Sequence, residues 1–209
     1  MGISNKHLFS TIALTASKLI DSFNAHDLAN TAWSYAVVGV NAPTLFNNHF
    51  IATCVEKMSK FSVEGLSQLH QWNLWQMYEM SRDGLPEALV KSCFEAFVSE
   101  DTTESRLQKT VVAQLSAIGL DPEEEKRVVS GYSIDAVVKV DGRTVGVEVD
   151  GPSHFIGRSK FPAGRTILKR RQVPSIDGIE LVSVPYWEWD ELDSDERKER
   201  YLRELLGVT

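Results

Sequence analysis

Four residues in one short stretch, Asp135, Glu148, Asp150 and His154, have the types and spacing from which hydrolytic or metal-binding chemistry is built. Asp135 interrupts the apolar run IDAVVKV, and Glu148 and Asp150 alternate with valines in TVGVEVDG. On a strand, residues two apart share a face, so Glu148 and Asp150 project together. A hairpin can bring Asp135 beside them. Three carboxylates from adjacent strands repel one another and are costly to desolvate unless something positive lies among them. A hard divalent cation such as Mg²⁺, which takes oxygen ligands, meets that need. Backbone N–H groups and nearby arginines meet it equally well, and spacing alone does not choose. His154, just past a Gly-Pro turn, reads either as a general base or as a structural hydrogen-bonding residue.

The second group is basic. Residues 151–176 contain Arg158, Lys160, Arg165, Lys169, Arg170 and Arg171 and no acid, whereas residues 188–199 carry seven acids. Arg165, Lys169, Arg170 and Arg171 on a short helix beside the His154 loop are expected to face a polyanion, with affinity that falls steeply with salt. The bland alternative is a solvated helix face neutralised by the acidic stretch. Trp187 and Trp189 alternate on a segment read as extended, which puts both on one face. There they stack on bases, or at least one of them packs into the core.

These residues need elements to position them. From residue 126 the pattern KRVVSGYSIDAVVKV, a tight DGR turn and TVGVEVDG reads as strand, strand, hairpin, strand. Before it, Asp101 and Glu104 form a capping-box signature for a helix with Leu107, Val111, Leu115 and Ile118 on one face, stopping at Gly119. After it come a basic helix over about 164–173, ended by Pro174, and a buried strand in ELVSVPYW. A last helix starts near Asp193 or Ser194, with Asp193 and Glu196 suiting a second capping box. The order αβββαβα makes this half a mixed sheet flanked by helices.

The first hundred residues read as helices throughout, with apolar spacing in segments 8–20, 25–38, 45–58, 64–80 and from Pro86 onward. Leu8, Ile12, Ala16 and Leu19 or Ile20 form the first apolar face. An offset of 38 residues maps Leu8 to Phe46, Ile12 to Phe50, Ala16 to Cys54 and Ile20 to Met58. Each unit is then a pair of helices that must stack on its neighbours. The register is expected to begin half-way through a unit, as in the C-terminal part of a longer array or a truncated gene. Residues 1–20 lack acids and are rich in Ser and Thr, as transit peptides are, but they lack Arg; the repeat register accounts for them as a helix.

Composition narrows the classes. In 209 residues, 43% are hydrophobic and 24% charged, which excludes long disorder and fibrous sequences. No run approaches 18 consecutive apolar residues, so no transmembrane helix is expected. Cys54 and Cys93 read as free buried thiols. The net charge of -7 argues against wholesale wrapping of nucleic acid but permits a local basic patch.

GVEVDGPSHF, the TILKRR helix, ELVSVPYWEWDEL and the closing YLRELL, in that order, resemble the RAP domain of organellar RNA-metabolism proteins over roughly residues 104–207. The N-terminal units, especially FNAHDLANTAWSYAVVG, are similar to octotricopeptide-type helical repeats and to the helical region of the FAST-kinase family. RAP domains are in turn similar to PD-(D/E)XK nucleases of the very-short-patch-repair type. That likeness implies Asp135 and Glu148 as metal-binding acids and Glu104 as an accessory acid. Asp150 stands where the usual lysine would be, and His154 is its candidate replacement.

The resulting expectation is an α+β chain in two parts: helical-hairpin, solenoid-like repeats over 1–99 and a restriction-endonuclease-like αβββαβ RAP domain with a closing helix over 100–209. The resemblance implies RNA binding, with single-stranded RNA as partner, in the mitochondrial matrix or chloroplast stroma. Its contacts would be Arg158, Lys160, Arg165, Lys169, Arg170, Arg171 and Trp187. Two alternatives accompany it. One is a Mg²⁺-dependent endoribonuclease using Asp135, Glu148, Asp150 and His154. The other is a non-enzymatic subunit or assembly factor of an organellar ribonucleoprotein or ribosome.

Overall fold

A computed structural model describes residues 5–99 and 105–208. The chain divides into two compact units at residues 100/101, each described here by itself. Asp101 and Glu104 lie outside the described residues.

The first unit is helical. α1 (Lys6–Leu19) and α2 (Ala25–Val38) form one hairpin, α3 (Asn48–Glu56) and α4 (Val63–Leu74) a second, and α5 (Glu87–Val98) follows. Polar caps set the starts. Asn24 and Asp27 make a reciprocal capping box, and the side chains of Asn47 and Ser62 accept from the first turns of α3 and α4. Because Asn47 caps there, α3 begins three residues later than the apolar spacing from Leu45 suggests.

The 38-residue offset is visible in the coordinates. Shifted by 38, the short 3₁₀ turn Ile20–Ser22 falls on Met58–Lys60, and the first residue of α2 falls on the first residue of α4. Equivalent side chains also meet: Trp33 Nε1 donates to Gln71 Oε1 at 2.7 Å and Gln68 Nε2 to Asn30 Oδ1 at 3.0 Å. The described helices divide as two hairpins followed by α5. Tyr35, Phe46, Phe50 and Trp72 form a chain of edge-on and tilted ring contacts, with centroids 5.1–5.3 Å apart, that ties the hairpins together.

The apolar face read for the first helix is only partly buried. Ala13, Ala16 and Ile20 point inward, but Leu8 is 51% and Ile12 42% exposed, whereas their equivalents Phe46 and Phe50 are buried. Cys54 and Cys93 are free and buried, and burial pushes both thiols up to about 12.

The second unit is a four-stranded sheet in the order β1 (Glu123–Arg127), β2 (Ser133–Val140), β3 (Arg143–Asp150), β4 (Glu180–Pro185). The first three strands form an antiparallel meander, and β4 returns parallel to β3 after α7 (Gly164–Asp177). The β2–β3 turn is Asp141-Gly142, both at positive φ, as a tight hairpin with right-handed strand twist requires. β1 is a highly charged edge, EEEKR, that starts three residues before the expected position.

On β3, Val145, Val147 and Val149 enter a core with Val111 and Leu115 of α6 (Arg106–Ala117) and Leu202 and Leu206 of α9 (Asp195–Leu206). Gly146, Glu148 and Asp150 alternate with them. A Cβ at Gly146 would lie 2.6 Å from Leu181 Cδ2 and 3.0 Å from Ile134 Cγ2. Gly146→Val is therefore expected to lower stability by about 1–3 kcal/mol, through overpacking, in urea unfolding followed by circular dichroism.

Other boundaries of this unit also differ from the sequence reading. α6 is capped by Ser105, whose Oγ accepts from Gln108 N–H at 3.0 Å. α7 does not stop at Pro174. It runs to Asp177 and ends at Gly178 in the left-handed conformation, since a proline in the last turn forfeits one hydrogen bond without preventing that turn. Finally, ELVSVPYW is not one extended segment. The ladder ends at Pro185, and α8 (Tyr186–Asp190) is a helical turn, so Trp187 and Trp189 diverge instead of sharing a face. The last helix takes Ser194 as its cap, leaving Asp193 to pair with Arg197 at 3.0 Å.

Candidate nucleic-acid interface

The carboxylates sit where β3 faces α7. Glu148 is 2% exposed, and its Oε2 is paired with the Lys169 ammonium, while its Oε1 has no hydrogen-bond partner. The β2–β3 ladder stops at Ala136–Val147, and Asp135 makes the next bond with its side chain: Oδ2 accepts from Val149 N–H at 2.7 Å. Asp150 Oδ2 accepts from Arg170 Nη2 at 2.5 Å and from the Ser183 hydroxyl, and its Oδ1 lies 2.8 Å from His154 Nδ1. The cation missing two residues after Glu148 in the sequence is thus supplied in space by α7.

Two carboxylates on one strand face are pushed in opposite directions. Burial, together with the nearby Asp135 and Asp150 charges and against the pull of Lys169, drives Glu148 up to about 7. Burial also pushes Asp150 up, but hydrogen bonds from His154 and Ser183 and the Arg170 charge outweigh it and hold the carboxyl below its ordinary range. Burial raises Asp135, despite Lys169 and the Val149 N–H. The hydrogen bond to Asp150 raises His154 against the opposing effect of burial. Groups split in this way can divide proton donation and acceptance between them near neutral pH. Asp150→Asn is accordingly expected to lower the His154 pKa in an NMR imidazole titration; an unchanged titration would show that Asp150 does not set it.

The helix read as facing a polyanion is divided. Lys169 and Arg170 turn inward onto Glu148 and Asp150, Arg171 is half-buried, and Arg165 is exposed. Arg158 and Lys160 lie on an exposed loop closed by a bridge between Phe155 and Pro162. His154 anchors that loop: its carbonyl accepts from Ala163 N–H at 2.8 Å and Thr166 Oγ1 at 3.2 Å. Ile156 and Phe161, 53% and 51% exposed, flank the two cations. Trp187 is half-buried with Phe155 against it, ring centroids 4.5 Å apart, and Lys160 Nζ 5.0 Å over its ring. Trp189 is core and donates through Nε1 to Thr110 at 3.0 Å.

The sequence reading missed Ile156, Phe161 and Ser183. The first two are apolar residues inside the basic island, a mixture that itself signals a contact surface. Ser183 is the lone polar residue between the valines of β4.

Residues 147–205 match the model of the RAP domain. The chain carries a RAP domain. A relative described as "RAP domain-containing protein, chloroplastic", from Oryza sativa subsp. japonica, is 31% identical over 216 aligned residues, covering 92% of this chain. The chain spans about a third of that relative, 32% of its length. The RAP match begins on β3 just before Glu148 and ends in α9. It therefore takes in Glu148, Asp150, His154, every residue of the basic island and Trp187, and leaves Asp135 on β2 outside.

Among the described residues, no group of three or more His, Cys, Asp or Glu side chains converges as a metal cluster. What the RAP domain and β2 offer a cation is narrower: Asp135 and Glu148, with one orphaned buried oxygen, Glu148 Oε1. That set fits Mg²⁺ only in its sparse mode, in which one or two carboxylates are completed by water and substrate phosphate. No described helix is long and apolar enough to cross a membrane.

Proposed function

We propose that this protein binds single-stranded RNA through its RAP domain and acts in organelle RNA metabolism, in the processing, stability or translation of mitochondrial or chloroplast transcripts or ribosomal RNA. The observation that supports this most is the loop Phe155–Pro162. It combines exposed Arg158 and Lys160 with exposed Ile156 and Phe161, next to the partly open Trp187 ring. Cations track a phosphate backbone and aromatic faces take unpaired bases without strict sequence demand. The chloroplastic name of the rice relative supports an organellar setting. Association with an organellar ribonucleoprotein through the same surface is part of this proposal.

A second reading, a Mg²⁺-dependent endoribonuclease, draws on the lysine that α7 brings to Glu148 and on the split titration of Glu148 and Asp150. Asp135 and Glu148 would hold the metal, which when bound lowers the pKa of water and stabilises phosphoryl charge. Lys169 would balance charge at Glu148, and His154, oriented by Asp150, would move a proton.

One experiment separates the two readings. The protein is incubated with labelled single-stranded and hairpin RNA, with and without Mg²⁺, and binding and cleavage are read in parallel. The expected result is micromolar or tighter, salt-sensitive binding of the single strand without cutting. Cutting that needs Mg²⁺ and disappears in Asp135→Ala would replace this reading with the nuclease, and absence of binding at low salt would overturn both.

A further inference from the structure

A cavity of about 370 Å³ opens beside the carboxylate centre, at the end of β4. Its lining joins three kinds of group. Phe155, Trp187 and Tyr201 supply ring surface, Lys160 and Arg170 supply positive charge, and Glu188 and Glu204 supply carboxylates. The volume suits one nucleotide rather than a helix or a peptide strand.

Each part restricts what fits. The Trp187 ring is braced edge-on by Phe155 and by Tyr186, at centroid distances of 4.5 and 5.2 Å, so its orientation is fixed before anything binds. Lys160, on the exposed loop, lies over that ring and can exchange the ring for a phosphate as a base enters. A phosphate-only site would gain nothing from two carboxylates, which repel it.

Ionised carboxylates accept hydrogen bonds and cannot donate them. They favour a base whose exposed edge carries adjacent donors. Guanine presents N1–H and N2–H₂ side by side, which a carboxylate matches with two parallel bonds. Adenine and cytosine each set an acceptor next to their amino group, and uracil has a single N–H donor between two carbonyl oxygens. Glu188 is held in place by Tyr201, whose hydroxyl donates to Oε2 at 2.8 Å, and Glu204 is exposed one turn further along α9.

Resting on the RNA-binding reading above, we propose that this cavity captures one unpaired guanine nucleotide of the bound RNA. Its base stacks on Trp187, its Watson–Crick edge meets Glu188 and Glu204, and its phosphate lies toward Lys160. Arg170 and Ser183 line the cavity and also hold Asp150 Oδ2, so a captured guanine marks the position of the strand against the carboxylate centre.

The test uses the full chain and two probes. The first is a labelled uridine 12-mer with one central guanosine, compared with the same RNA carrying adenosine, inosine or uridine there, by fluorescence anisotropy. The guanosine RNA is expected to bind at least about tenfold tighter than the adenosine or uridine RNA, with inosine, which lacks the N2 amino group, in between. Glu204→Gln, at an exposed position, should abolish that preference, and Trp187→Ala should weaken every RNA. The second probe is guanosine 5′-monophosphate against adenosine 5′-monophosphate, read as quenching of tryptophan fluorescence that is lost in Trp187→Phe. Equal binding of all four RNAs, together with no preference between the mononucleotides, overturns the guanine pocket and leaves RNA binding intact. Preferential guanosine monophosphate quenching with no RNA bound would sustain the pocket and overturn the RNA-binding reading.

Discussion

Lys169→Met should destabilise the protein by about 1 kcal/mol at pH 7.5 in denaturant unfolding, rising by about 1.4 kcal/mol per pH unit above that, because it removes the cation from a buried carboxylate that must then take up a proton to stay buried. The Lys169 side chain is 16% exposed and Glu148 nearly inaccessible, so water replaces the ammonium poorly. Glu148→Gln should cost less, since Lys169 can turn its head group toward solvent once its partner is neutral. The double variant Glu148→Gln/Lys169→Met should recover most of the loss, and the double-mutant cycle should show a coupling above about 1 kcal/mol. Additive single effects would mean that the pair is not energetically joined.

The same substitution carries a pH signature whose sign follows from the direction of the Glu148 shift. Its pKa is raised in the folded protein, from an ordinary 4.5 to about 7, so the folded state holds this proton more tightly than the unfolded state. The contribution of this group to stability is therefore fully present below about pH 4.5 and is lost as pH rises through about 7. Without Lys169, which pulls the pKa down, the loss extends to higher pH. Stability of Lys169→Met should thus run parallel to that of the parent up to about pH 7 and fall more steeply between about pH 7 and 8.5, and most of the deficit should vanish below about pH 6.5. Measurement is by urea midpoint across that range with the slope m held fixed.

Most of the sheet was legible because its signals are local. Alternating valines set the faces of β2 and β3, Asp-Gly set their hairpin, and the period-38 spacing set the helical pairs. The departures arise where a distant group decides. Tyr186–Asp190 coils because Pro185 closes the ladder and Trp189 is drawn to Thr110 and the core, a contact 79 residues away in sequence. Leu8 and Ile12 have helical spacing, but in the described unit nothing buries them as Phe46 and Phe50 are buried. In the site, spacing placed Glu148 and Asp150 on one face correctly. It did not show which cation answers them, because Lys169 and Arg170 arrive from a crossover helix about twenty residues on. The cations that face these carboxylates are a lysine on Glu148 and an arginine on Asp150, with Glu148 Oε1 left over.

That division changes which charges should govern RNA affinity. Replacing Arg158, Lys160 and Arg165 together by Ala removes three exposed cations without touching the Glu148 and Asp150 pairs. For single strands, each neutralised phosphate contributes about -0.7 to the slope of log affinity against log salt. The triple variant should therefore flatten the slope by about 2 and weaken binding roughly 50-fold near 0.15 M salt. Arg170→Ala should show the reverse pattern. It strips a hydrogen-bonded partner from buried Asp150, so stability should fall, and the salt slope should move little because its guanidinium is already engaged inside the protein. Anisotropy titrations at four salt concentrations, paired with thermal melts, distinguish the two. An unchanged slope in the triple variant would mean that the loop after His154 does not meet the RNA backbone, and the aromatic cavity beside it would then have no strand to read.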